Sequence, residues 1–277
     1  MSGAPSPTMP EGTVDVRLVS VDMDGTLLDG DGAVPAGFWP LLDVMAERGV
    51  VVVPASGRQY ATLRSLFGPA AEAMGFIAEN GTLVAYRGEV LATDTVSPEV
   101  VRDIVEAVRE LSTSRNLGVV VCGVRSAYIE RTDVPFRSEV DIYYKELAEV
   151  DDLSAVDDGV LKLAIFDFDD AEHGAAPHFA RFRDTHQVVV SGRHWIDVMN
   201  LGVHKGSGLE RLRELLGIER DQCVAFGDYL NDLELVKAAG HSFAMANGHP
   251  DVLAAARYVA PSNTENGVVS VLERLLT

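Results

Sequence analysis

Cysteine, lysine and long apolar runs are all scarce in this chain of 277 residues. Its two cysteines, Cys122 and Cys223, stand far apart and form neither a paired metal-binding spacing nor a disulfide framework. That usage fits a reducing compartment, and a cytoplasmic location is the expectation. The seven histidines lack paired ligand spacing, so no zinc site is indicated. There are four lysines against 19 arginines, and together these 23 bases face 42 acids, for a formal net charge of −19. A field of that sign repels phosphate backbones and anionic lipid surfaces, which excludes a general nucleic-acid binder and a basic membrane anchor. The longest apolar runs, such as 49–55, fall well short of the roughly 18 residues a membrane span needs. Residues 1–13 have neither the basic nor the apolar stretch of a secretory leader and read as a loose tail.

What remains is an ordinary globular composition, 47% hydrophobic and 23% charged. Apolar, β-branched runs predict strands at 16–21, 50–54 and 76–78, separated by helical spacing at 35–47 and 58–67. The same rhythm returns late, with strands at 195–199, 223–226 and 242–245 and helices at 205–216, 231–239 and 267–276. Alternation of this kind predicts an α/β fold, a doubly wound, Rossmann-like parallel sheet covered by helices. The middle differs. Ser97 and Pro98 open a helix over 98–111, and short strand-like pieces follow at 119–122, 128–129 and 160–168. A helix at 177–184 and a strand at 187–190 close it. Residues 88–190 are therefore read as an inserted α+β domain, with 14–87 and 191–277 as the two halves of one core.

Four groups of polar residues fall at strand ends of that core, where doubly wound sheets bind ligands. Asp22-Met23-Asp24-Gly25-Thr26 follows the first strand. Two carboxylates one residue apart can hold a divalent cation, and one of them can attack an electrophile. The same residues also suit a plain acidic turn. Ser56-Gly57-Arg58 offers a hydroxyl and free amides to an anion, or merely caps the next helix. Lys205 stands at a predicted helix start, where a cation opposes the macrodipole unless an anion compensates it. Asp228, Asn231 and Asp232 follow a later strand and can complete a metal site or act as caps. Taken together, in this order on one sheet, they predict a metal-assisted phosphoryl-transfer site.

With these motifs in view, the chain resembles the haloacid dehalogenase superfamily, and within it the Cof-type phosphatases with a large inserted cap. The resemblance rests on DMDGTLL at 22–28, SGR at 56–58, Lys205 within GVHKGSGL and FGDYLND at 226–232. ENG at 79–81, FAMANG at 243–248 and PSNTENGV at 261–268 add to it. It implies a Mg²⁺-dependent phosphatase of a small phosphorylated metabolite, such as a sugar phosphate. By the resemblance, Asp22 is the nucleophile that forms an aspartyl-phosphate, and Asp24 is the general acid and base. Asp22, the backbone carbonyl of Asp24, and Asp228 ligate Mg²⁺. The Met23 amide, Ser56, Gly57, Lys205 and Asn231 hold the phosphate, while Asp232 supports Lys205 or the metal. Arg58 is a candidate for substrate specificity. In the cap, Arg125, Tyr128, Arg131 and Lys145 are candidates to approach the leaving group. A phosphomutase and a non-catalytic phospho-ligand sensor are the alternatives. The expected partner is a small phosphate ester, not nucleic acid or membrane, with the protein acting as monomer or homodimer.

Overall fold

The structure, a computed structural model, describes residues 9–276. The first part of the chain supplies β1 (Leu18–Val21), α1 (Phe38–Glu47), β2 (Val51–Pro54), α2 (Tyr60–Phe67), β3 (Gly75–Ala78), β4 (Leu83–Tyr86) and β5 (Glu89–Thr93). The middle supplies α3 (Pro98–Leu111), β6 (Leu117–Gly123), β7 (Ala127–Ile129), α4 (Val134–Tyr143), β8 (Leu147–Glu149), β9 (Val160–Asp167), β10 (His186–Val190) and β11 (Trp195–Asn200). The chain returns with α5 (Lys205–Leu215), β12 (Cys223–Gly227), α6 (Leu233–Ala238), β13 (His241–Met245), α7 (Pro250–Ala255), β14 (Tyr258–Ala260) and α8 (Gly267–Leu275).

Five core strands run parallel in the order β14-β13-β12-β1-β2. β1 sits between two neighbours and is buried at all four residues, which is why it shows no apolar–polar alternation; its one polar residue, Ser20, donates to the Val53 carbonyl at 3.1 Å. The antiparallel meander β3-β4-β5 extends this edge through a parallel bridge from Ala55 to Ile77. Residues 1–8 of the expected loose tail lie outside the described residues. Met9 and Val14, by contrast, pack against the core cluster.

The cap is a six-stranded sheet in the order β10-β11-β9-β6-β7-β8. The strand at Trp195–Asn200 was expected to open the second half of the core. It pairs antiparallel with β9 and β10 and so belongs to the cap sheet. β5, placed by the sequence reading just inside the cap, pairs with β4 on the core side. The reason is physical: a short apolar strand carries no mark of the sheet it joins, and only partner and register decide. Period-2 alternation gives β9 two faces. Leu163 and Ile165 pack under α3, whose buried stripe is Val101, Ile104, Val105 and Val108. Ala164 and Phe166 join the opposite cluster with Phe136, Val140 and Tyr144 from α4 and just beyond it. α4 went unrecognised in sequence, yet Gly118 of β6 is shaped to receive it. A Cβ there would stand 2.1 Å from the Phe136 ring.

Candidate active site

Asp22 leaves the end of β1, and Gly25 turns the chain with φ +80°. A Cβ at Gly25 would lie 2.4 Å from Asp228 Oδ2, so only glycine lets that carboxylate approach the turn. Thr26 Oγ1 donates to Asp228 Oδ1 at 2.8 Å. Lys205 begins α5 behind an unusual cap, His204, whose Nδ1 accepts the Ser207 amide at 2.9 Å. The lysine is fully buried, and Nζ donates to Asp22 Oδ1 at 2.6 Å and to Asp232 Oδ1 at 2.7 Å. These two carboxylates supply the anions that a lysine at a helix start requires. Asp232 Oδ2 accepts the amides of Asp228 at 2.9 Å and Tyr229 at 3.1 Å. Both its oxygens are thus engaged, and it acts as the clamp that aims Lys205 and shapes the Asp228 loop.

Asp22, Asp228 and Asp232 each place a carboxylate oxygen within 4.8 Å of the others. Three buried acids around one ammonium leave negative charge uncompensated. Burial first, and then Asp232, push Asp22 well above the usual carboxylate range despite Lys205. Burial and Asp232 together raise Asp228 to about 6. Burial pulls Lys205 down, but Asp22 and Asp232 outweigh it and raise its pKa. An all-oxygen, acid-rich cradle of this kind suits a hard divalent cation, with Asp22 and Asp228 holding the oxygens not already used by Asp232.

Asp24 stands apart from this triad at the mouth. Arg58 grips its carboxylate with two prongs, Nε to Oδ2 at 2.8 Å and Nη2 to Oδ1 at 2.5 Å. The guanidinium also donates to the Ile142 carbonyl at 3.2 Å and lies 5.1 Å from the Tyr143 ring centre. Arg58 therefore joins the acid loop of the core to the cap. Met23 has a fully buried side chain, which leaves its backbone as what it offers the site. Ser56 and Gly57 border the same cavity, and Asn231 Nδ2 donates to Asn80 Oδ1 at 3.1 Å.

The cavity over these groups measures about 380 Å³. Asp22, Asp24 and Asp228 lie on its core side, and Tyr143, Phe166 and Trp195 line its cap side. The rings meet edge to face, with Trp195 centred 4.8 Å from Phe166 and 5.5 Å from Tyr143. The cap residues singled out from sequence do not line it. Arg125 pairs with Asp157 and Asp158, and Tyr128 donates to Asp158 at 3.0 Å. Arg131 is held by Asp133, Asn116 and the Leu117 carbonyl, and the Lys145 side chain is exposed. Sequence reasoning gave no role to Lys162 and Asp197, which border the cavity, and noted Glu79 and Asn80 only within the ENG motif; all four are buried. A signal existed for two of them. Lys162 interrupts the apolar run of VLKLAIFD, whose last residue Asp167 is also charged, and Asp197 is the one charge in WIDVMN.

A family model described as haloacid dehalogenase-like hydrolase matches residues 19–272. The chain is 34% identical to the 5-amino-6-(5-phospho-D-ribitylamino)uracil phosphatase YbjI of Escherichia coli, over 95% of this chain and 97% of that protein. It is also 34% identical to a phosphoglycolate phosphatase of Methanopyrus kandleri, over 94% of this chain and 97% of the relative. Among solved structures, a Streptococcus mutans protein superposes with a TM-score of 0.86 at 28% identity, covering 94% of this chain and 99% of that one. With the site's carboxylates, lysine and cap in the arrangement described, the chain belongs to the haloacid dehalogenase-like hydrolases, in their Cof-type branch of phosphoric monoester hydrolases.

Proposed function

We propose that the protein is a Mg²⁺-dependent phosphatase that hydrolyses a small phosphorylated metabolite through an aspartyl-phosphate on Asp22. The observation that carries this reading is the Asp22–Lys205 pair beside Asp228 on the core side of a cavity with Asp24 at its mouth. An ammonium has three donors. Two of those of Lys205 are spent on Asp22 and Asp232, and the third is available to a phosphoryl oxygen. Asp22 attacks phosphorus, the bond to the leaving oxygen breaks, and that oxygen takes a proton from the Asp24 carboxyl. Asp24, now ionised, takes a proton from water. The water oxygen attacks phosphorus, releasing phosphate and restoring the Asp22 carboxylate. The Arg58 fork fixes the orientation of the Asp24 carboxylate at the cavity. Ser56, Gly57, Asn231 and the Met23 amide hold the phosphoryl oxygens. Asp22, Asp228 and the Asp24 carbonyl would hold the cation, which would supply charge neutralisation at the phosphoryl group.

The experiment is release of inorganic phosphate from a panel of phosphomonoesters with and without Mg²⁺. Asp22→Asn is expected to abolish turnover, and an unchanged rate in that variant would refute the mechanism.

The aromatic wall supports a leaving group with a planar portion. The substrate named for the E. coli relative has a ring, and phosphoglycolate has none. Trp195→Ala is expected to raise KM for the first and leave it unchanged for the second. Equal effects on both would remove the wall from substrate selection.

A further inference from the structure

Lys162 projects from β9 of the cap toward the core and is 2% exposed. Three oxygens crowd its ammonium. They are the Gly57 carbonyl at 2.8 Å, Glu79 Oε2 at 3.0 Å and Asp197 Oδ1 at 3.0 Å. Asp197 reaches it because β11 sets Asp197 opposite Ala164, on the same face of the cap sheet as Lys162. Asp197 Oδ2 also accepts from Asn80 Nδ2 at 2.5 Å. Lys162 donates to the Gly57 carbonyl and is charge-paired with Glu79 and Asp197, so its ammonium is compensated within the cluster although it borders the cavity.

The partners of the neighbouring carbonyls show what the cluster does. The Ser56 carbonyl accepts the Asn80 amide at 3.0 Å, and the Arg58 carbonyl accepts the Glu79 amide at 3.1 Å. The Gly57 carbonyl between them accepts Lys162. Three successive carbonyls are therefore tied down. In a trans peptide the N–H points opposite to the carbonyl of the same plane. Tying the Ser56 carbonyl to Asn80 turns the Gly57 amide the other way, and tying the Gly57 carbonyl to Lys162 fixes the next plane. Glu79 and Asn80 hold these positions with φ of 49° and 58°, a left-handed pair that non-glycine residues adopt only at a cost. Asn80 Oδ1 also accepts from Asn231, so both proposed phosphate-holding segments lean on the same turn.

We propose that Lys162, a cap residue that does not touch substrate, is a positioning residue for the phosphate loop. It aligns the Ser56–Gly57 backbone for the anion only while the cap is seated. The inference rests on the reading of Ser56 and Gly57 as phosphate-holding groups.

The test uses the full chain and inorganic phosphate as inhibitor of turnover with Mg²⁺ present. Two variants are compared with the wild type: Lys162→Met, and the triple variant Glu79→Gln/Lys162→Met/Asp197→Asn. The single variant strands two buried carboxylates. The triple variant neutralises the whole cluster and so recovers stability. Loss of alignment is expected to raise the phosphate inhibition constant roughly ten- to a hundredfold in both variants. The Mg²⁺ activation constant is expected to stay within about twofold of wild type, because the acid triad on the core side is untouched. A merely structural lysine would see phosphate affinity return along with melting temperature in the triple variant. That recovery, or a Mg²⁺ constant that rises in step with the phosphate constant, would overturn the proposal. A wild-type enzyme that phosphate does not inhibit would instead overturn the phosphate-loop reading on which it rests.

Discussion

Two buried lysines lie on opposite sides of the site, Lys205 in the core behind Asp22 and Lys162 bordering the cavity from the cap, and each is flanked by two buried carboxylates. Burial opposes the charge of both, and the acids beside them more than restore it, so both pKa values are raised. By burial, charge count and titration they are the same kind of group. They differ in what is left over. Lys205 has two partner oxygens and a third carboxylate, Asp228, close by, which leaves one donor and an excess of negative charge. Lys162 has three partner oxygens, one of them a backbone carbonyl. The two lysines are thus told apart by the third carboxylate beside Lys205 and the backbone carbonyl bound to Lys162, rather than by burial or a shifted pKa.

The largest expected effect would test this comparison directly. Lys205→Met and Lys162→Met should cost similar stability, about 3–5 kcal/mol each by urea unfolding, because each strands a pair of buried acids. Their turnover should diverge. Loss of the donor on the phosphoryl group is expected to lower kcat roughly a thousandfold in Lys205→Met. At saturating substrate, Lys162→Met should lose only about tenfold, since it moves a backbone rather than removing a ligand. Equal losses of kcat would break the distinction.

The next effect separates the clusters by metal and pH. Asp228 is raised to about 6 in the folded chain, with Asp232 adding to its burial and Thr26 and Lys205 opposing it. A carboxylate raised in this way contributes stability below its unfolded pKa of about 4, and that contribution is lost as pH rises through the folded value. The metal-free protein should therefore lose stability between about pH 4 and pH 7 from this cluster. A cation that replaces the proton should stabilise by about 2–3 kcal/mol at about pH 8 at a hundredfold excess over its dissociation constant there, and by roughly half as much at about pH 5. Melting curves with and without Mg²⁺ at both pH values measure it. Melting gains that are equal at the two pH values would place the cation away from Asp228. Neutralising the Glu79–Lys162–Asp197 cluster should leave the Mg²⁺ increment unchanged.

The core cluster was legible in the sequence because its members carry local signals. Asp22 and Asp228 follow buried runs, Ser56-Gly57 precedes a helix, and Lys205 sits where a helix start makes a lysine costly. Each can be placed from its own few neighbours. The cap cluster joins residues 79, 162 and 197, drawn from a turn and two strands of the cap sheet that lie far apart in sequence, and no local pattern brings them together. The buried charge inside each strand announces that a partner must exist, but it does not say which. Register supplies the missing step, and register was also what moved Trp195–Asn200 from the core to the cap. The role of Arg58 divides in the same way. Its place beside the active site could be read from Ser56-Gly57, whereas its grip on Asp24, 34 positions away, depends on the helical crossover that sets β2 parallel beside β1.

The smallest expected effect tests the two sides of the cap against each other. Arg125, Tyr128 and Lys145 were candidates for the leaving-group pocket, yet the structure turns them elsewhere. Arg125 and Tyr128 are spent on Asp158, and the Lys145 side chain is exposed, while its amide donates to Thr62 Oγ1 at 3.1 Å. Arg125→Ala and Lys145→Ala remove only exposed side chains, so each should change stability by less than about 0.5 kcal/mol. Neither should change KM for any ester, because no lost atom borders the cavity. Trp195→Ala opens the wall itself. Burying an aromatic leaving group against a ring contributes about 0.5–1.5 kcal/mol beyond area, so its KM should rise severalfold for a ring-bearing substrate. Measured on one such ester, the three variants rank the two faces of the cap. A rise in KM for Arg125→Ala that matches Trp195→Ala would mean that the substrate reaches past the aromatic wall.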